Sequence, residues 1–368
     1  MAGIYIHIPL CATRCIYCDF YSTTLRGQAP ALVEALVREM DQRRDFLSEP
    51  VRTVYLGGGT PSQLGPDLIA RLLDALAARF DLSLCEEVTM EANPEDIAHG
   101  PAWHWGRINR VSMGVQSMVD AELRLLHRRH NAAAVRLAVS RLRQGGIRNI
   151  SLDLMYGLPG QTLQSWDASI EQVLALHPQH LSAYNLMVEE GTQLHRLVER
   201  GELTPCDDET CLQMAQLLRQ RLHDAGLEQY EISNYARPGY HSSHNSSYWT
   251  PTPYLGLGPG AHSYDGQRLR ISNAPDLTSY LAGRRHEERE ELTDLNLYNE
   301  RIMLGLRTRL GVALSDVMHA GLLRSPRETQ ALIDRLTARR LLTLRADHLT
   351  LTESGLALAD EVMRELMV

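Results

Sequence analysis

Short apolar runs alternate with helical patterns along the first half of the chain. The strand-like runs lie at residues 4–8, 51–56, 87–91, 110–116, 147–155 and 180–184. Between them, apolar residues recur at helical spacing, as in the stretches that begin at Ala29, Leu68, Ala132 and Leu163. About six strands that alternate with helices are typical of parallel βαβ units. The pattern therefore predicts an α/β fold with a parallel sheet.

The pattern becomes less regular after residue 203. A helical stretch at 209–225 precedes a segment at 236–262 that is rich in Gly, Pro, His, Tyr and Ser. The run of mixed charge at 284–291 predicts a solvated linker. Helical patterns at 298–306, 325–340 and 355–366 surround two short strands at 341–344 and 349–352, which predicts a small, helical, winged-helix-like domain. We therefore expect three parts, at residues 1–203, 204–283 and 284–368.

Charge and composition exclude several classes of protein. The chain of 368 residues has 37 Lys and Arg against 45 Asp and Glu, a net charge of −8. Without a basic block, we expect no nucleic-acid partner. No run of eighteen apolar residues and no signal-peptide pattern occur, so we expect a protein that does not span a membrane. Six cysteines, three of them in one loop, fit thiolate ligation in a reducing compartment, and the cytoplasm is the expected location.

Three cysteines follow the first strand at spacings of four and three. Cys11, Cys15 and Cys18 can bind three irons of a [4Fe–4S] cubane, and the fourth iron then lacks a protein ligand. An open metal position suits a reactive site, because a structural site is closed by four ligands. Zinc is the alternative, but the next cysteine, Cys85, is far away in the sequence. Buried structural cysteines are the other alternative.

Other polar residues are predicted to lie at the carboxyl ends of the strands, where barrels of this class carry their chemistry. A Gly-rich turn at 57–61 can expose backbone N–H and C=O groups, although a tight packing turn would look the same. Glu91 ends a strand, where a carboxylate could hold an ammonium or a ribose. Asp153 follows an apolar run, where an unpaired charge is costly. Gln116 and Arg128 are uninformative by themselves.

Several motifs together carry a family resemblance. They are Tyr-Ile-His-Ile-Pro at 5–9, the C-x3-C-x2-C loop, Gly-Gly-Gly-Thr-Pro-Ser at 57–62, Asn-Pro-Glu at 93–95, Ser-Met-Gly-Val-Gln-Ser at 112–117 and Asp-Leu-Met-Tyr-Gly-Leu-Pro-Gly at 153–160. In this order they resemble the oxygen-independent coproporphyrinogen III dehydrogenase family of radical S-adenosylmethionine (SAM) enzymes. The resemblance implies a partial (β/α)6 barrel, a [4Fe–4S] cluster, and SAM on its open iron. It also implies SAM contacts at Tyr5, Tyr17, Gly58, Gly59, Thr60, Glu91, Gln116, Arg128 and Asp153.

Two features separate the subgroups of this family. The dehydrogenases proper have a further cysteine two positions after the third cluster cysteine, where this chain has Phe20, and a substantial segment before the Tyr-x-His-x-Pro strand. The chain resembles instead the HemW type, which is understood as a heme chaperone and carries an H-N-x-x-Y-W motif. That motif lies here at 244–249, in the extension at 204–283. The resemblance implies heme contacts at His244, Tyr248 and Trp249.

The residues themselves leave the role of this motif open. A neutral imidazole is a good axial ligand of heme iron, and Tyr and Trp can stack on a porphyrin. The motif could equally pin its loop onto the barrel, and His241 and His262 are rival ligands in the same region.

The resulting hypothesis is a heme chaperone with a [4Fe–4S] cluster and SAM, whose cargo is heme. Its expected partners are acceptor hemoproteins, with membrane-associated respiratory enzymes as the expected class, and it would be a monomer or a homodimer. The alternative is a coproporphyrinogen III dehydrogenase that makes protoporphyrinogen IX by radical chemistry. A third possibility is a radical SAM enzyme that acts on an unrelated substrate.

Overall fold

The computed structural model describes residues 2–319 and 324–368. Six parallel strands form its centre, and each pairs with the next in sequence order. They are β1 Ala2–Ile8, β2 Val51–Gly58, β3 Glu87–Ala92, β4 Arg110–Gln116, β5 Asn149–Tyr156 and β6 His180–Asn185. The helices between them are α1 Ala29–Arg43, α2 Gly65–Ala77, α3 Pro94–His99, α4 Asp120–Leu125, α5 Ala132–Gln144 and α6 Leu163–Leu174. Short 3-10 helices at Arg26–Gln28 and Pro61–Leu64 precede α1 and α2. The predicted partial (β/α)6 barrel is confirmed.

The two faces of the barrel strands differ in polarity. On β1, Ile4, Ile6 and Ile8 are fully buried in the main apolar cluster, which also includes Leu32 and Leu36 of α1. Because side chains alternate along a strand, the opposite, inward face of β1 carries Gly3, Tyr5 and His7. The inward faces of the other strands are also polar, with residues such as Thr53, Tyr55, Glu87, Thr89, Glu91, Arg110, Ser112, Ser151, Asp153, His180 and Ser182. The usual barrel interior is filled with branched apolar side chains. The polar interior therefore indicates a barrel built to bind a ligand.

The extension continues the sheet on both sides of the barrel. It contains α8 Asp208–Asp224, β7 Glu228–Gln229, β8 Asn234–Ala236, α9 Ser243–Ser247, β9 Tyr254–Leu257, β10 His262–Tyr264, β11 Leu269–Asn273 and α10 Leu277–Leu281. Helix α7 Gln193–Glu199 precedes it, and strand β12 Glu287–Glu291 follows it. Strand β9 pairs with β1 in parallel, and β10, β11 and β12 follow as antiparallel strands. At the other edge, β8 and β7 extend the sheet beyond β6. The prediction of a linker at 284–291 was wrong for its last five residues, because they pair with β11.

The C-terminal part has its own apolar core. It consists of α11 Asp294–Leu306, β13 Val312–Ala313, α12 Leu314–Met318, α13 Pro326–Ala338, β14 Leu342–Arg345, β15 His348–Leu351, α14 Glu353–Leu356 and α15 Ala359–Leu366. Ile302, Leu336 and Leu349 are buried in this second cluster. The predicted two-stranded wing is confirmed as β14 and β15, and β13 adds a short third strand. Two backbone hydrogen bonds join this unit to the segment between β7 and β8, from Ile232 N to Arg307 O (3.0 Å) and from Arg309 N to Tyr230 O (3.0 Å).

Candidate functional site

The loop that carries the three cysteines begins where β1 ends. It is closed at its base by the hydrogen bonds from Cys11 N to Thr23 O (2.8 Å) and from Thr23 N to Pro9 O (2.6 Å). The three cysteines are free thiols; Cys11 is buried, and Cys15 and Cys18 are partly buried. Burial raises the pKa of the Cys11 thiol and raises that of Cys18 to about 11. Cys11 and Cys18 therefore need a positive partner, such as a bound metal, to ionise at neutral pH.

A chain of hydrogen bonds connects two of these cysteines through the rim of the barrel. The hydroxyl of Thr60 donates to Cys11 Sγ (3.5 Å) and accepts from the amide of Asn93 (3.2 Å). The guanidinium of Arg128 donates to Asn93 Oδ1 (2.7 Å) and to Cys15 Sγ (3.3 Å). Arg128 also donates to Gly114 O (2.7 Å), which fixes its plane. A partly buried cation and a hydroxyl that each donate to a cysteine sulfur stabilise thiolates.

The donor set fits an iron–sulfur cluster better than a single metal ion. Within residues 2–319 and 324–368, no three His, Cys, Asp or Glu side chains converge to hold one ion. In a cubane each thiolate binds its own iron, so the sulfurs need not converge on one point. Three free thiols in one loop, two of which accept hydrogen bonds, meet this requirement.

The glycine turn at the end of β2 packs directly against the start of the cysteine loop. A Cβ on Gly59 would lie 2.9 Å from Ile8 O and from the carbonyl carbon of Pro9. Gly58 has φ +108°, and its N–H donates to Glu91 Oε2 (3.1 Å). The N–H of Gly59 donates to Ile8 O (2.9 Å), so the packing role of the turn is present, and the contact of Gly58 and Gly59 with SAM stays a prediction.

Glu91 lies in the barrel with its carboxylate held by two donors. Tyr55 OH donates to its Oε1 (2.8 Å), and Gly58 N–H donates to Oε2. Burial, reinforced by the charge of nearby Asp153, raises the pKa of Glu91 to about 7. Burial likewise raises the pKa of Asp153, which accepts from Ser112 Oγ (3.2 Å) and Ser151 Oγ (3.2 Å). Two carboxyl groups with raised pKa values are typical of a functional site and could hold a cationic ligand.

The remaining predicted SAM residues surround the same end of the barrel. Tyr5 OH donates to His7 Nδ1 (3.0 Å), and His7 Nε2 donates to Tyr21 O (3.0 Å), so His7 fixes the tyrosine hydroxyl. Tyr17 is packed against the small cluster that includes Leu126, and burial raises its pKa. Gln116 has φ +63°, a strained conformation for a residue other than glycine, and strain of this kind concentrates at functional sites.

The histidine of the H-N-x-x-Y-W motif lies at the opposite end of the barrel. Its ring is buried, its Nδ1 is 2.8 Å from Thr53 Oγ1, and its Nε2 is 3.0 Å from Tyr248 OH. The carboxylate of Glu87 accepts hydrogen bonds from the backbone N–H groups of Ser243 (2.8 Å) and His244 (3.0 Å). These bonds anchor α9 at the start of β3. Burial lowers the pKa of His244 to about 3, so the ring is neutral. Both ring nitrogens are engaged with the protein, and the structure does not bring His244 to the cysteine loop.

A cavity of about 1160 Å³ lies beside α9, between β9, β10 and the C-terminal unit. Tyr248 and Trp249 of the motif line it, together with Tyr230, Tyr254 and Tyr264. Tyr254 pairs with Gly3, so this wall of the cavity lies beside the amino end of β1. Of the two rival histidines in the sequence, His241 lines this cavity and stacks on Tyr230 at 4.2 Å; His262 is not among the lining residues.

Sequence reasoning missed three residues of the barrel interior. Asn93 bridges Thr60 and Arg128, and its signal was the Asn-Pro-Glu motif at 93–95. The hydroxyl of Tyr55 donates to Glu91. Its signal in the sequence was its position on β2, two residues from Thr53 and from Gly57, which places all three on the same face of the strand. Arg110 is 1% exposed, and its Nε and Nη1 have no partner among the described residues. A buried guanidinium is costly unless nearby charges compensate it, and Arg110 is close enough to the carboxyl groups of Glu91 and Asp153 to lower their pKa values.

Comparison with known proteins gives the family. The radical SAM superfamily matches residues 5–173, and the HemN C-terminal domain matches 292–358. The heme chaperone HemW of Lactococcus lactis is 33% identical over 99% of this chain and 97% of its own, and that of Mycobacterium tuberculosis is 36% identical over 99% and 94%. The coproporphyrinogen III oxidase HemN of Escherichia coli, a solved structure, has 22% identity and a TM-score of 0.83, and the match covers 99% of this chain and 89% of that one. This likeness shows a shared fold. With identities of 33% and 36% to the two HemW proteins over almost the full length of both chains, this protein belongs to the HemW family.

Proposed function

We propose that this protein is a heme chaperone that carries a [4Fe–4S] cluster and SAM and transfers heme to acceptor hemoproteins. The observation that carries the proposal is the cavity of about 1160 Å³ walled by Tyr248 and Trp249 of the H-N-x-x-Y-W motif. Sites for small molecules and cofactors usually have volumes of about 300–1,000 Å³ and apolar, aromatic walls. The cavity is large enough for a porphyrin, and its aromatic walls can stack on one.

Cys11, Cys15 and Cys18 would hold the cluster, which supplies an iron with an open position for SAM. Arg128 and Thr60 donate to the cysteine sulfurs and would stabilise them as thiolates. Glu91 and Asp153 would bind cationic or hydroxyl groups of SAM, and Tyr5, Tyr17, Gly58, Gly59 and Gln116 would complete its site. We expect the protein to work in the cytoplasm, where thiols stay reduced; no helix in the described part of the chain is long and apolar enough to cross a membrane.

The position of the cavity favours a chaperone over a coproporphyrinogen dehydrogenase. A SAM-derived radical must touch the atom that it attacks, and the cysteine loop lies at the carboxyl end of β1. The cavity lies at the amino end of this strand, whose seven residues span about 20 Å. A porphyrin in the cavity would be out of contact with SAM at the cluster.

Hemin titration tests this proposal. The cluster is reconstituted anaerobically, hemin is added, and the Soret band is followed; we expect saturable one-to-one binding and no conversion of coproporphyrinogen III in the same sample. Trp249→Leu should weaken hemin binding, because it removes a wall of the cavity. Trp103→Leu is the matched control, since Trp103 stacks on Trp105 away from the cavity. Porphyrinogen turnover without hemin binding would show that the protein is an enzyme instead.

A further inference from the structure

The cavity beside α9 is lined by a second histidine, from the C-terminal unit. His348 begins β15 and is partly buried, and its Nδ1 lies 3.1 Å from Ala346 O. A carbonyl oxygen can only accept, so Nδ1 must carry the proton. In the neutral ring the lone pair is then on Nε2. A histidine whose Nδ1–H is held by a backbone carbonyl is the usual form of a metal-binding imidazole.

The turn that presents this carbonyl is a tight hairpin turn between β14 and β15. Ala346 and Asp347 have φ of +44° and +63°, and they connect β14 to β15 as a two-residue turn with positive φ at both positions. Such hairpin turns match the twist of the flanking strands and fix their register. Ala313 pairs with His348 from the other side of β15. The imidazole is therefore positioned by strands on both sides, as an axial ligand must be.

Two unpartnered donors lie in the same region. Trp249 lines the cavity, and the guanidinium of Arg307 lies over its ring, 5.6 Å from the centroid. Trp249 Nε1 and Arg307 Nε are shielded from solvent and have no hydrogen-bond partner among the described residues. A buried donor without a partner is costly. Both atoms are shielded from solvent and Arg307 does not line the cavity, so this pair supports the cavity wall behind the Trp249 ring.

Resting on the proposed heme-chaperone function, we propose that heme occupies this cavity with His348 Nε2 as an axial ligand of its iron. His244 is then a positioning residue, since its Nε2 is engaged with the hydroxyl of Tyr248, which lines the cavity. The iron ligand belongs to the C-terminal unit, whereas most of the aromatic wall belongs to the extension. Heme therefore bridges the two parts, and their separation would release it.

The test is hemin titration of the full-length, cluster-loaded protein, followed by the Soret band and by electron paramagnetic resonance of the ferric heme. We expect His348→Ala to shift both spectra and to weaken hemin binding at least tenfold. Added imidazole should restore the wild-type spectra, because it replaces the missing ligand. His223→Ala is the matched control, since His223 is an exposed residue of α8. The iron bound per chain in each variant, measured before hemin is added, reports whether the cluster site is intact.

Other variants separate the possible outcomes. His244→Ala should lower the affinity for hemin without changing the ligand spectrum, because it removes the hydrogen bond to Tyr248. The inference is overturned if His348→Ala keeps the wild-type spectra, or if His241→Ala, His244→Ala or Met303→Leu alone removes the ligand signature. If wild-type protein binds no hemin at all, the proposed function itself fails. That outcome differs from one in which hemin binds but its iron ligand is another residue.

Discussion

Glu91 gives the sharpest test of the barrel interior, because its pKa is raised and its partners are known. The perturbation is Glu91→Gln, which keeps the size of the side chain and removes its charge. In the folded protein the carboxyl has a pKa of about 7, against 4.5 for an unperturbed group, and burial is the main cause. The folded state therefore binds this proton more tightly than the unfolded state. As a result, Glu91 destabilises the fold increasingly as the pH rises from 4.5 to 7.

The magnitude follows from the two pKa values. The full difference corresponds to about 3 kcal/mol above pH 7, at about 1.4 kcal/mol for each pKa unit. Between about pH 5 and pH 8 the wild-type protein should lose about 2.5 kcal/mol of stability from this group, whereas the glutamine of the variant cannot titrate. The glutamine amide has one acceptor oxygen instead of two, so either Gly58 N–H or Tyr55 OH loses its hydrogen-bond acceptor. This loss costs about 1 kcal/mol at every pH. The variant should thus be slightly less stable than the wild type at the lower pH and clearly more stable at the higher one.

Urea unfolding, followed by circular dichroism, measures this at both pH values on anaerobic, SAM-free protein. Glu86→Gln is the matched control: Glu86 directly precedes β3, is 57% exposed, and is paired with Arg52 at 3.5 Å. We expect its effect to stay within about 0.5 kcal/mol. The reasoning is refuted if the stability difference between Glu91→Gln and the wild type is the same at both pH values.

Two further predictions concern the cysteine end of the barrel. Gly59→Ala should cost about 1–3 kcal/mol of stability and weaken SAM binding, because the new methyl group meets backbone atoms at 2.9 Å; thermal unfolding measures this, and Gly27→Ala, with open space around it, should be tolerated. Arg128→Lys should lower the iron bound per chain after reconstitution, because lysine cannot reach Cys15, Asn93 and Gly114 O at once. Arg129→Lys serves as its control, and equal iron content in the two variants would contradict the role of Arg128.

Much of the fold could be predicted because the barrel strands carry strong local patterns. Strand β4 begins and ends at the residues that its pattern indicated, and the wing at β14 and β15 follows from the same kind of pattern. Strand β9 could not be predicted: Gly256 interrupts its apolar residues, and its pairing with β1 is a contact across much of the chain. A Cβ on Gly256 would lie 2.0 Å from His262 O, so this glycine is required by a packing contact that no local pattern reveals.

The candidate site was predictable to a different degree at each end of the barrel. Motif spacing indicated the three cysteines, and the structure brings Arg128 and Thr60 to two of them. His244 shows the limit of such reasoning, because a motif gives residue types but not the direction of a side chain. Whether its imidazole faces a cavity or the barrel depends on Thr53 and Glu87, which lie 191 and 157 positions away in the sequence.

The outer edge of the sheet has a consequence for self-association. Strand β12 ends the twelve-stranded sheet with the sequence Glu-Glu-Arg-Glu-Glu, and four of its five residues are exposed. An unpaired edge strand is a ready template for a second chain. Here two such edges would bring rows of carboxylates together across a short distance, and their repulsion opposes pairing. The charge of this edge therefore disfavours association of two copies through their β12 strands.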